Sequence, residues 1–130
     1  VAIPKLRANG LQVGLLSLKM FRPFPAASLR EFFKETSNIV VFDRDIGYGY
    51  EGVLSYELKS ALFGLKNPPF IKGFIVGLGG RDVTTNHILE GVQKSIEAEK
   101  KGEISNKTEF LGVKLAELQN YDESNFYNGD

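Results

Sequence analysis

The sequence predicts an α/β fold with a mostly parallel sheet, because helical and strand patterns alternate along its first hundred residues. The short apolar run Ile39–Phe42 (IVVF) is typical of a parallel strand that is covered on both faces. Glycine-rich loops, Asp43–Gly52 and Gly77–Thr84, follow two of the predicted strands. Such an order implies right-handed crossovers, with the candidate site at the carboxyl ends of the strands.

Four helices are predicted from the spacing of apolar residues and from residues that favour helix ends. In the second helix, Leu29, Phe32 and Phe33 recur at i, i+3 and i+4, which makes one apolar face. Pro25 suits the first turn of that helix, and Gly102 suits the position just after the last helix. The predicted helices are Ala2–Asn9, Ala26–Glu35, Val53–Phe63 and a helix that begins at Thr84 or Thr85 and ends near Lys101.

Three apolar segments are predicted as strands, namely Val13–Phe21, Ile39–Phe42 and Phe70–Val76. Three strands are few for such a sheet, and no strand precedes the first helix. We therefore infer that a leading strand is missing from this sequence. It lies either on another chain or on a longer polypeptide of which this sequence is a part.

Composition excludes several classes of site and disfavours others. The 130 residues hold 16 basic and 16 acidic side chains, whereas a chain that mainly grips nucleic acid is usually basic. The absence of cysteine excludes disulfides, thiolate zinc sites and cysteine-ligated iron–sulfur clusters within this sequence, and the single His87 excludes a multi-histidine metal site. No apolar run approaches the roughly 20 residues of a membrane span. We expect a soluble, cytoplasmic chain with no membrane or nucleic-acid partner.

The sequence divides into a predicted domain, residues 1–101, and an acidic extended tail, residues 102–130. From Glu103 to Asp130 there are six acidic residues against two lysines, and the apolar residues are scattered. The tail either wraps around a neighbour or remains a mobile, solubilising segment.

The Gly77–Thr84 loop (GLGGRDVT) is one candidate site, because glycine-rich turns before a helix expose backbone amides to anions. Arg81 could add a bidentate contact to a phosphate. However, the segment matches neither the dinucleotide-binding fingerprint nor the P-loop, and Asp82 would repel a phosphate. We favour a turn that allows close packing over an anion site.

Asp43, Arg44 and Asp45 form the second candidate, two carboxylates around a guanidinium at a strand end. The carboxylates could converge for acid–base or metal chemistry, since alternate residues of a strand point the same way. We favour the alternative that Arg44 or Arg22 neutralises them and holds the loop rigid. His87, in the first turn of the last helix, has no evident catalytic partner and is expected to cap or pack.

Three segments together resemble the C-terminal domain of the alpha chain of 2-oxoacid:ferredoxin oxidoreductases, the pyruvate:ferredoxin oxidoreductase family. They are Val13–Pro25 (VGLLSLKMFRPFP), Val41–Gly52 (VFDRDIGYGYEG) and Val76–Thr84 (VGLGGRDVT), in this order and at this spacing. The resemblance covers about residues 1–101 and leaves the tail unassigned. It implies a three-layer α/β/α domain similar to the C-terminal domain of transketolase, cut just after its leading strand.

The resemblance also implies a function. Enzymes of this family oxidatively decarboxylate a 2-oxoacid such as pyruvate and pass electrons to ferredoxin. They use thiamine diphosphate with magnesium, iron–sulfur clusters and usually coenzyme A, none of which this domain is expected to hold. Its partners are expected to be the other subunits or domains of a multi-subunit complex.

The residues agree with a supporting role. The sequence lacks a Gly-Asp-Gly motif followed by paired asparagines, the usual pattern for the magnesium diphosphate of thiamine, so the chain alone is expected to be inactive. We expect no catalytic or metal-ligating residue here. By resemblance, eight residues are assigned to loop architecture and to domain or subunit contacts: Arg22, Asp43, Arg44, Asp45, Gly79, Gly80, Arg81 and Asp82.

Two other functions fit the same residues. One is a free-standing nucleotide- or anion-binding protein that uses Gly77–Arg81. The other is an interaction module that is recruited through its tail.

Overall fold

The computed structural model describes residues 1–47, 51–103 and 108–112. Its described part contains a three-stranded sheet in which both strand pairs are parallel and the strands lie side by side in chain order. The helices are α1 (Ala2–Ala8), α2 (Ala26–Phe33), α3 (Val53–Leu62) and α4 (Thr85–Lys100). The strands are β1 (Asn38–Asp43), β2 (Phe70–Ile75) and β3 (Glu109–Phe110), and a 3-10 turn covers Leu78–Gly80. The predicted α/β class and the parallel sheet are confirmed.

Helices α2 and α3 cover one face of the sheet. Their side chains form an apolar core with alternate residues of β1 and with the second residue of β2, as the strand period of two requires. The buried members are Leu29, Phe33, Ile39, Val41, Leu58, Leu62 and Ile71.

Helix α4 covers the opposite face, and α1 packs against α4. On this face the rings of Phe42 and Phe74 stack with centroids 5.9 Å apart. Gly91 brings α4 close to β1, since a Cβ there would lie 2.8 Å from the Phe42 ring. With α2 and α3 on the other side, the fold has the predicted three layers.

The prediction of a buried strand at Val13–Phe21 is wrong for the described structure. Residues 12–23 take part in no backbone–backbone hydrogen bond with any described residue. Leu15 is 80% exposed and Met20 is 54% exposed, and Leu18 packs only partly buried against the core. A strand needs a hydrogen-bonded neighbour, and no described strand lies beside this segment.

Strand β3 is a second difference, because no strand was predicted between residues 102 and 130. Its two residues pair with Phe74 and Ile75 of β2. The predicted tail is residues 102–130, and most of it, residues 104–107 and 113–130, lies outside the described residues. None of the helices in the described part is both long and apolar enough to cross a lipid bilayer.

Candidate functional site at the carboxyl ends of the strands

The loops that follow β1 and β2 meet at the carboxyl edge of the sheet. The amide of Val76 donates to the carbonyl of Asp43 at 2.8 Å, which aligns the two strand ends. Beyond them, Arg44 donates to the carbonyl of Arg81 at 3.5 Å. Gly77 lies against the Arg44 guanidinium, so closely that a Cβ at this position would be 2.9 Å from it. The structure therefore brings the two predicted loops together.

Asp43 is buried and acts as a cap for α3. Its carboxylate accepts hydrogen bonds from the amides of Leu54 at 3.0 Å and Ser55 at 3.1 Å. Burial, with the nearby Asp45 and Glu51 carboxylates, raises the pKa of Asp43, although the two amide hydrogen bonds act to lower it. The Asp43 side chain can lie this close to residue 52 only because that residue is glycine, since a Cβ there would be 2.0 Å from the carboxylate. Asp43 therefore serves the architecture of the loop.

The other charged residues of the candidate site have different positions. Asp45 is exposed, and the amides of Leu54 and Ser55 donate to Asp43 rather than to Asp45. Arg22 does not neutralise this pair; its guanidinium donates to the Glu57 carboxylate at 2.6 Å and lies 4.5 Å from the centroid of the Phe21 ring. Arg22 thus ties the RPFP loop to α3.

The glycines of the second loop adopt backbone conformations that other residues rarely take. Gly77, Gly79 and Gly80 have φ angles of 64°, 68° and 80°, so the loop turns sharply before α4. Arg81 donates to the carbonyl of Gly112 at 3.3 Å, which connects this loop to the residues after β3. These contacts favour the predicted turn over an anion site. Asp82 follows on the exposed surface.

The N-terminus of α4 carries its own cap. The Thr84 hydroxyl accepts from the His87 amide at 3.3 Å, and the Thr84 amide donates to His87 Nδ1 at 3.2 Å. This reciprocal pair is a capping box in which histidine takes the place of the usual glutamate or glutamine. The capping interpretation of His87 is confirmed.

The metal and iron–sulfur centres that the resemblance implies for the whole enzyme have no ligand set among the described residues. In residues 1–47, 51–103 and 108–112, no group of three or more histidine, aspartate or glutamate side chains is placed to hold a metal ion. The sequence contains no cysteine to ligate an iron–sulfur cluster.

Two surface grooves of about 650 and 540 Å³ lie away from the candidate site, near the start of β2 at Pro68, Pro69 and Phe70.

An ion pair of the buried Lys72 on the α4 face was missed from the sequence. The Lys72 side chain is only 6% exposed and lies 2.9 Å from Glu109, which also pairs with Lys94 of α4 at 3.1 Å. Burial alone would raise the pKa of Glu109, but the hydrogen bonds and the positive charges of the two lysines together outweigh it and lower that pKa. The signal was Lys72 itself, because a lysine inside the apolar run FIKGFIV needs an acidic partner.

Comparison with known proteins identifies the family. The family model for pyruvate:ferredoxin oxidoreductase core domain II matches residues 1–88. The ketoisovalerate oxidoreductase subunit VorA of Pyrococcus furiosus is 41% identical over 102 residues, which is 76% of this chain and 26% of that protein. VorA of Pyrococcus abyssi is 38% identical over 116 residues, 87% of this chain and 29% of the relative.

A pyruvate synthase subunit is similar over a comparable length at lower identity. PorA of Thermotoga maritima is 34% identical over 112 residues, which is 86% of this chain and 28% of the relative. The chain thus spans little more than a quarter of the length of these curated relatives. The matches confirm the resemblance of the three motif segments, and the chain belongs to the pyruvate:ferredoxin oxidoreductase core domain II family.

Proposed function

We propose that this chain is a structural, non-catalytic domain of a thiamine-diphosphate-dependent 2-oxoacid:ferredoxin oxidoreductase. The observation that carries the proposal is the use of Asp43. The most buried acid at the carboxyl edge of the sheet caps α3, and each of its two carboxylate oxygens accepts a backbone amide of that helix. Membership of the family and the names of the relatives, which are oxidoreductase subunits, support the assignment to the complex.

In the proposed reaction the bond between the carbonyl carbon and the carboxylate of the 2-oxoacid breaks and carbon dioxide leaves. The acyl group passes to the thiol of coenzyme A with loss of one proton, and two electrons pass to ferredoxin. We assign thiamine diphosphate, magnesium and the iron–sulfur clusters to other domains of the complex. By itself the chain would be inactive.

The exposed part of the carboxyl edge is proposed to contact a neighbouring domain or subunit. Arg44, Asp45, Arg81 and Asp82 present charges there, on loops that Asp43 and the glycines hold in place. Arg22 continues the edge beside α3. Charged loop residues on a rigid scaffold suit specific contacts with a partner of complementary charge.

The test is a paired measurement of assembly and activity in the complete oxidoreductase. In the Asp45→Asn, Asp82→Asn double variant we expect the subunit dissociation constant to rise at least tenfold. The rate of ferredoxin reduction for each intact complex should stay within twofold of the wild type. A Glu97→Gln variant, at the far end of α4, is the control and should change neither quantity.

A loss of activity with unchanged assembly would overturn the proposal. If the double variant assembles normally and its turnover falls a hundredfold, the carboxyl edge serves the reaction and the structural role is wrong.

A further inference from the structure

Arg44 is the arginine of this chain whose guanidinium is used least by the fold. Its one described hydrogen bond runs from Nη2 to the carbonyl of Arg81 at 3.5 Å, which is longer than the usual range of about 2.7–3.2 Å. The other four arginines each donate at 3.3 Å or less to an oxygen of a described residue, namely Arg7, Arg22, Arg30 and Arg81. Most N–H groups of Arg44 therefore have no acceptor within the described part of the chain.

The neighbouring carboxylates do not neutralise Arg44. The Asp43 carboxylate is buried and accepts the amides of Leu54 and Ser55. Asp45 is exposed, and none of the ion pairs between described residues includes Arg44. The predicted neutralisation of the two aspartates by Arg44 is therefore not found, and its positive charge is open to an anionic group from outside the domain.

The guanidinium nevertheless has a defined position, because the loop after β2 leaves space for it. A Cβ at residue 77 would lie 2.9 Å from Nη2 and 3.0 Å from Nε of Arg44. Residue 77 can lie against the guanidinium only because it is glycine, and its φ of 64° is also one that favours glycine. The loop thus holds one edge of the guanidinium, while Nη1 makes no hydrogen bond with a described residue.

We propose that Arg44 binds a carboxylate of a neighbouring subunit, with Gly77 holding its guanidinium in place. This inference rests on the proposed function, which puts a protein contact at the carboxyl edge of the sheet. The planar guanidinium can donate two parallel hydrogen bonds to the two oxygens of a carboxylate. A side chain that is already positioned by the loop also loses less conformational entropy when the partner binds.

A protein carboxylate suits this position better than a small phosphate-bearing ligand. Arg44 is exposed and lines neither of the two surface grooves near the start of β2. Asp45 and Asp82 add negative charge to the same edge, and they repel a doubly charged phosphate more strongly than a single carboxylate. The group that we assign to Arg44 is therefore an aspartate or glutamate side chain on the partner's surface.

Three variants of the complete oxidoreductase test the contact through the subunit dissociation constant. Arg44→Gln should raise this constant about tenfold, because a carboxylate in the interface loses its partner. Arg44→Lys keeps the charge but loses the planar set of donors, and should raise the constant about threefold. Lys66→Gln is the control, because it removes an exposed positive charge before β2, and should leave the constant within about twofold of the wild type.

A carbodiimide identifies the partner, because it joins an amine to a carboxylate that is in contact with it. In the Arg44→Lys variant of the complete enzyme we expect an amide bond, formed with loss of water, between residue 44 and an aspartate or glutamate of a neighbouring subunit. The wild type should give no link at residue 44, since a guanidinium does not react in this way. A link only to Asp45, to Asp82 or elsewhere in the same polypeptide, or no link at all, would overturn the inference.

The outcomes separate this inference from the proposed function. If the Asp45→Asn, Asp82→Asn variant weakens assembly while Arg44→Gln leaves it unchanged, the edge contacts a subunit without Arg44, and only the inference is wrong. If Arg44→Gln assembles normally and its turnover falls a hundredfold, Arg44 serves the reaction, and both the inference and the structural role are wrong.

Discussion

Asp43 ends β1 with its carboxylate inside the protein, where the amides of Leu54 and Ser55 hold it. Two residues later, Asp45 is exposed. Both residues belong to one short acidic motif, yet only the side chain of Asp43 points under α3, where it caps the helix. The sequence predicted the motif and its place at a strand end. It could not predict which carboxylate is buried, since that depends on the approach of Gly52.

Gly52 is therefore the residue at which the cap can be tested. In the Gly52→Ala variant the new Cβ collides with Asp43, and we expect the free energy of unfolding to fall by about 1–3 kcal/mol. Denaturant unfolding of the chain measures this change. Gly14→Ala is the matched control, because Gly14 has open space around it and should change stability by less than about 0.5 kcal/mol. Equal losses in both variants would contradict the capping role.

At the scale of elements, short apolar segments form strands only where another part of the chain pairs with them. Local sequence patterns do not show that pairing. Helices α2, α3 and α4 and strands β1 and β2 were predicted to within two residues at each end, because apolar spacing and end signals coincide there. The segment Val13–Phe21 has an equally apolar pattern but no described partner strand. Strand β3 has only two residues, which is too short for a strand pattern, and it is held by its pairing with β2 and by the ion pair between Glu109 and Lys72.

The ion pair should control the stability of β3 in a pH-dependent way. The Glu109→Gln variant removes the carboxylate that lies 2.9 Å from the buried Lys72, and we expect a loss of about 1–2 kcal/mol at pH 7, reduced because Glu109 is partly exposed. The pKa of Glu109 is lowered by folding, so the stabilisation is present above the unfolded pKa, about 4.3, and disappears as the pH falls through the lower folded value.

The free energy of unfolding of both proteins, measured between pH 7 and pH 3, tests this prediction. The difference between wild type and Glu109→Gln should shrink as the pH falls below about 4. The control is Glu90→Gln, which removes only an exposed i,i+4 pair with Lys94 and should cost less than about 0.5 kcal/mol. A difference that is constant from pH 7 to pH 3, at about 1–2 kcal/mol, would contradict the account.

The capping box of α4 offers a second test at this scale, with two adjacent threonines. Thr84→Ala removes the acceptor of the His87 amide and should cost about 1 kcal/mol of stability. Thr85→Ala changes the first helical residue and should be close to neutral. Thermal unfolding of both variants distinguishes them, and equal midpoints would show that the cap contributes nothing.

For the whole molecule, the family and the three-layer architecture could be predicted from motifs and from element order. The roles of the carboxyl-edge loops could not, because they depend on the contacts that these loops make in the proposed complex. Within the described residues, Asp43, Arg22 and Arg81 each contact neighbouring parts of the same fold. Because these side chains hold the fold together, we propose that the domain has a structural role and that other domains of the proposed complex carry out the reaction.

The most direct test of this assignment is native mass spectrometry of the tagged chain, purified without oxygen from cells that produce the complete enzyme. We expect a large complex that releases thiamine diphosphate, absorbs broadly as iron–sulfur proteins do, and reduces ferredoxin with a 2-oxoacid. The chain alone should do none of these. A colourless, stable monomer of 14.4 kDa as the only form would contradict the account.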